Sequence, residues 1–202
     1  MVSALLWAAL ASATPVPMGQ AARPVPVGMV EIEARATLLF QGAGGAVSGR
    51  LGLTEDADLA LSWVPLVGAS LDGRYRFWRR GPLHLAYAPG FSFRADPGRA
   101  FVAESDLRAP LVLEWEVSRI FSLGGEARLS LNQRWYRAPG PPPVRGSVTA
   151  LIPAVGWRAA WNPRRFTLAL SGLAGWDLVR HGLPPEGGLQ IDLSFRFGPW
   201  PE

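Results

Sequence analysis

Glu31, Glu33 and Arg35 occupy every second position of one stretch. Arg74 and Arg76, Glu114 and Glu116, and Glu126 and Arg128 repeat that two-residue spacing further along, Arg134 keeps the parity of Arg128 and Arg196 that of Asp192, and Arg158 stands alone in a stretch of its own. On a strand, residues two apart share a face, so these guanidinium and carboxylate groups can pair along a strand or across to its neighbour. Acids and bases are about equally represented on that face. The chemistry this pattern supports is ion pairing, structural first because unpaired charges are costly to bury, with a narrow polar path as the alternative. A second candidate is His181, near Asp177 and Glu186, which has the residue types of a general base with an orienting carboxylate. No nucleophile motif accompanies it, and His84 lies beside a tight turn at the opposite end. No His pair or carboxylate cluster has metal-ligand spacing, and no cofactor is expected.

The elements that must position these charges are strands. "VEIEARATLLF" (30–40) and "GEARLSLNQRWY" (125–136) alternate polar and apolar residues, and so do 46–53, 58–63, 70–79, 83–94, 111–118, 147–161, 166–177 and 189–197. That is about ten strands, or eight if 46–65 is one irregular excursion. The face opposite the charges is apolar, with Arg79 its main exception. Trp63, Tyr75, Trp115, Trp135, Trp157 and Trp176 fall on it towards strand ends, as an aromatic girdle at a membrane interface would. "TEDA", "RRGP", "RIFS" and "NPRR" are tight turns, whereas 95–108, 137–146 and 181–188 read as longer, Gly- and Pro-rich connections. Short turns at one end and longer loops at the other predict an all-β, antiparallel, up-and-down transmembrane barrel with its ions inside. Alternation alone is symmetric, so a secreted lipocalin-like barrel with an apolar interior for an apolar ligand is the second reading.

The chain has 202 residues, no Cys, no Lys and a net charge of +4. The charges are interspersed, which does not argue for nucleic acid, and parity explains "RYRFWRR" (74–80) better than single-strand binding does. No run of apolar residues is long enough for a membrane-crossing helix. "ALLWAALASA" (4–13) ends in Ala11-Ser12-Ala13, so residues 1–13 read as a secretory leader, with a short apolar helix as the rival. Residues 14–28 read as a Pro-rich periplasmic lead-in without a core, 29–198 as the barrel and 199–202 as a short tail. Arg79, Arg80, Arg119, Arg164 and Arg165 fall at tight turns, where they would meet anionic headgroups on the periplasmic side.

The hairpin "LGLTEDADLALS" (51–62) resembles the G-L-T-x-x-x-D-L-x-L turn of many small Gram-negative outer-membrane β-barrel proteins. "LQIDLSFRFG" (189–198) resembles the terminal strand that the barrel-assembly machinery recognises, although "PWPE" follows it here. The resemblance implies a location and a fold class: a porin-like barrel in the bacterial outer membrane, with outer-membrane lipids and that machinery as partners. It implies no particular activity; an outer-membrane lipid- or peptide-processing enzyme that uses His181 is the remaining alternative.

Overall fold

The structure, a computed structural model, describes residues 18, 20–39, 42–64, 68–95, 101–138, 144–163, 165–178 and 186–198. They form eleven strands: β1 (Val30–Leu39), β2 (Gly42–Gly52), β3 (Ala57–Val64), β4 (Gly68–Arg80), β5 (Leu83–Tyr87), β6 (Gly90–Ala95), β7 (Phe101–Ser118), β8 (Phe121–Ala138), β9 (Val144–Trp161), β10 (Phe166–Gly175) and β11 (Glu186–Phe197). All pairings are antiparallel, and β11 pairs back onto β1, so the sheet closes. β5 and β6 both lie between β4 and β7 and together make one stave, so the closed wall has ten. The break falls at Ala88-Pro89, opposite Pro110 of β7. Prolines on both sides remove ladder donors there, yet the Ala88 N–H still reaches the Pro110 carbonyl at 3.0 Å.

The sequence expectation of ten strands therefore corresponds to ten staves, and 42–64 supplies two of them rather than one excursion. The longer connection expected over 95–108 is mostly strand: β7 begins at Phe101. One other local difference has a physical cause. Arg76 pairs with Ala86 but Trp78 pairs with Leu85, so a bulge at Phe77 advances the register. Arg79 consequently sits opposite the inward His84 and is not on the apolar face as simple alternation implies.

The start of β1, the end of β11 and the connections 53–56, 81–82 and 119–120 lie at one end of the barrel, with the end of β9 and the start of β10. At the opposite end lie the ends of β1, β3, β6, β8 and β10 and the starts of β2, β4, β7, β9 and β11. The wall is uneven: β7, β8 and β9 have 18 residues each, whereas β1, β2 and β3 have 10, 11 and 8.

Which face is inside is unambiguous. Leu129, Leu131, Leu168 and Leu170 are 42–48% exposed, whereas Glu114 is 2% and Arg128 4% exposed. The apolar-interior alternative is the reverse of this arrangement. Inward apolar positions are mostly Ala: Ala46, Ala60, Ala86, Ala88, Ala154, Ala160 and Ala169 are buried. A barrel of this size has little interior volume, and small residues leave room for long arginines.

Candidate functional site

The interior of the barrel is the candidate site, and its charges pair in two ways. Along a strand, Arg35 contacts Glu33 at 2.9 Å, Arg108 contacts Asp106 at 3.1 Å and Arg128 contacts Glu126 at 3.1 Å. Each pair is two residues apart on one face, as the pleat requires. Across strands, Arg196 of β11 meets Glu31 of β1 at 2.6 Å, Arg134 of β8 meets Glu104 of β7 at 3.2 Å, and Arg35 approaches Asp192 at 3.9 Å. Asp58 of β3 is shared between Arg50 of β2, at 2.5 Å, and Arg74 of β4. With water largely excluded, such groups need partners on every side.

The most deeply buried pair is Arg108 of β7 with Asp72 of β4, both side chains wholly inaccessible. These strands do not touch at that point, because β6 runs between them. Gly90 of β6 pairs with Asp72 on one side and with Arg108 on the other. A Cβ on Gly90 would lie 2.2 Å from Asp72 Oδ1 and 2.8 Å from Arg108 Nε. The glycine is therefore the gap through which the guanidinium crosses an intervening stave. Ser70 donates to Asp72 at 2.9 Å, and Arg108 donates to Ser92 at 3.3 Å, which completes the cluster.

The lead-in is also part of the interior. Residues 14–28 read in the sequence as lying outside any core, but Met18, Gln20, Ala22, Val25 and Met29 are buried. The chain rises from Met29, at the short-turn end, into the bore. Val25 donates its N–H to Asp58 at 2.7 Å, Ala22 and Arg23 donate theirs to Glu114 at 2.8 and 3.1 Å, and Gln20 donates to Glu126 at 3.1 Å. The Gln190 side chain holds both backbone groups of Met18, accepting from its N–H at 3.2 Å and donating to its carbonyl at 3.3 Å. Arg74 donates to the Ala21 carbonyl at 2.8 Å and Ser171 to that of Met18 at 3.0 Å. The Arg23 guanidinium pairs with Glu114 at 3.0 Å and with Glu116. Pro24 and Pro26 flank Val25 and have no N–H to satisfy, which suits them to an interior where every donor needs a partner. Gly52 makes the close approach possible: a Cβ there would lie 2.1 Å from the Pro26 carbonyl oxygen.

The charged residues singled out in the sequence do not form one central network. Arg76 ties down the turn at 53–56 through Asp56, at 2.6 Å, and the Glu55 carbonyl, at 3.0 Å. Glu116 lies towards the short-turn end, 3.4 Å from His84 Nε2, and Arg134 lies high in β8. Arg158 interacts electrostatically with Glu33, Glu114 and Asp192; with Arg35, Thr167 and Gln20 it lines a polar cavity of about 50 Å³. Sequence reasoning missed Asp106 and Arg108, which fell in a supposed connection, and Arg23, which fell in the lead-in.

On the outer wall, Trp63, Tyr75, Trp115, Trp157 and Trp176 are exposed and Trp135 is half-buried. Trp63, Trp135 and Trp176 stand towards the long-connection end, and Tyr75, Trp115 and Trp157 towards the other, where Trp78 and Trp161 join them. The Trp157 ring covers Gly172: a Cβ on the glycine would lie 2.6 Å from its Nε1. Arg79, Arg80, Arg119 and Arg165 are exposed at the short-turn rim. Arg164, His181 and the expected leader lie outside the described residues, as does the 199–202 tail. Among the described residues no group of His, Asp and Glu is placed to hold a metal ion.

The fold so defined is a closed ten-stave antiparallel barrel with an apolar exterior and an ionic interior. No protein-family model matches the chain, and no curated protein matches it either. Solved structures do. Neisserial surface protein A is 13% identical with a TM-score of 0.46, over 84% of this chain and 96% of that one. The N-terminal β-barrel domain of Pseudomonas aeruginosa OprF is 18% identical with a TM-score of 0.36, over 86% of this chain and 100% of that one. Ail, the attachment invasion locus protein of Yersinia pestis, is 14% identical with a TM-score of 0.36, over 85% and 99%.

Proposed function

We propose that this chain is an outer-membrane β-barrel protein with a polar, Arg/carboxylate-filled bore, structural in role or serving as a narrow conduit for small solutes. The observation that supports this reading is the inversion of burial, with leucines outermost and Arg108 and Asp72 wholly enclosed. In water, an exterior so continuously apolar would drive association. In hydrocarbon the same exterior is matched, and closure leaves no strand edge with unpaired backbone groups. Outer-membrane lipids are then the wall's constant partner, and the barrel-assembly machinery its partner during insertion. The exposed rim arginines, with Arg164 beside Arg165 in sequence, suit anionic headgroups. The reading assigns no reaction to the chain.

Fractionation of cells expressing the full chain is the direct test. The protein is expected in the outer-membrane fraction, extractable only by detergent, and shifting in SDS gels on heating. Recovery in the soluble fraction without detergent would refute the reading.

A further inference from the structure

We propose that the bore contains a cradle for an extended peptide backbone, and that Met18 and residues 20–28 of this chain are its displaceable occupant, a gate on the conduit. This rests on the barrel reading above. The cradle is defined by what it binds. Asp58, Glu114, Glu126 and Gln190 accept the N–H groups of Val25, Ala22, Gln20 and Met18, while Arg74, Ser171 and Gln190 donate to carbonyls of Ala21 and Met18. These groups come from β3, β4, β7, β8, β10 and β11, so the segment is held from most of the circumference. They read main-chain atoms, which every peptide offers; the side-chain-specific contacts are the Arg23 ion pairs and the packing of Ala22 with Ala86, Ala88 and Val112.

Two features make the occupant separable from the wall. Among the described residues, no backbone–backbone hydrogen bond joins 18–25 to a strand; the ladder-like contacts stop at Gly28 and Met29, against Gly52. The acceptors on the wall are carboxylates or an amide, all of which water can satisfy if the segment leaves. The strands, by contrast, depend on one another for their backbone partners.

The test compares the full chain with a variant lacking residues 14–28, both reconstituted in planar bilayers. The full chain is expected to be silent and the deletion variant to show resolved channels. A synthetic peptide of residues 14–28 should silence them, and the same peptide N-methylated at Ala22 and Val25 should not, because it lacks two of the donors. A folded deletion variant that stays silent overturns the gate, and block by the methylated peptide overturns backbone recognition. Should the deletion variant fail to fold, the full chain supplies the test. The chain has no Cys, so Ala22→Cys is a clean reporter of the occupied cradle. Adding Gly52→Ala, whose methyl would collide with the Pro26 carbonyl, is expected to raise thiol labelling at that site about tenfold or more by lifting the segment. An unchanged labelling rate overturns the proposal. Partition of the full chain into the soluble fraction would refute the membrane reading instead, whereas a membrane-inserted chain indifferent to these changes refutes only the gate.

Discussion

Gly90→Ala adds one methyl group at the point where the Arg108–Asp72 pair crosses β6. At 2.2 Å from Asp72 Oδ1 and 2.8 Å from Arg108 Nε, that methyl cannot coexist with the pair as built, and the carboxylate must swing away. Full rupture of a buried pair that leaves its charges uncompensated costs about 3–5 kcal/mol. Here Arg108 keeps Asp106 at 3.1 Å and Ser92 at 3.3 Å, and Asp72 keeps Ser70 at 2.9 Å, so the loss falls short of that range. The lower chain entropy of alanine in the unfolded state returns about 0.4–1 kcal/mol. A net destabilisation of about 1.5–3 kcal/mol follows. Gly49→Ala is the control, since Gly49 lies on the outer face with nothing within 4 Å of the position its Cβ would take. Urea unfolding in lipid vesicles, followed by tryptophan emission, measures both. In a background of Asp72→Ala with Arg108→Ala, the Gly90→Ala penalty should largely vanish, because the groups it displaces are gone. Equal stabilities for the Gly90 and Gly49 variants, or a penalty that survives in that background, would refute the role given to the glycine.

Leu170→Arg places a cation mid-strand on the outer wall and should cost about 2–4 kcal/mol in vesicles, while Leu178→Arg, beyond the end of β10, should cost about 0–1; equal costs would argue against a lipid-facing belt. Gly172→Ala should tilt the Trp157 ring off the wall and change tryptophan emission with a loss of about 1 kcal/mol or less, since the ring is exposed and free to move. Replacing Arg79, Arg80, Arg119, Arg164 and Arg165 together with Gln should weaken binding to anionic vesicles and leave binding to neutral ones unchanged; indifference to headgroup charge would remove the rim from the account.

Most of the wall was legible because a strand's period is two and each face keeps one solvent. Glu31, Glu33 and Arg35 announce the inner face of β1 as clearly as Leu129 and Leu131 announce the outer face of β8. The period failed where geometry departs from a plain pleat. Asp96-Pro97-Gly98 reads as a turn, so 95–108 looked like a connection, although Glu104, Asp106, Arg108, Val112 and Glu114 keep one parity throughout. The bulge at Phe77 is invisible to counting and moved Arg79 across the wall. The lead-in was unreadable for a different reason: residues 18–25 are held by side chains far away in sequence, and an extended, Pro-rich segment carries no period that could reveal a buried face. Its one local hint is that Pro24 and Pro26 have no donors to leave unsatisfied.

The unequal height of the staves gives the barrel a front and a back. In β7, β8 and β9 the last outward row of leucine is Leu107, Leu131 and Leu151, and the row above it is Ser105, Gln133 and Thr149. Below it, the tryptophan of β7 is Trp115, so leucine and tryptophan bracket a stretch that a tilted strand needs to cross hydrocarbon. Everything above the serine row is a parapet on one side only. The described strands thus wall one arc of that mouth to a greater height than β1, β2 and β3 do on the other.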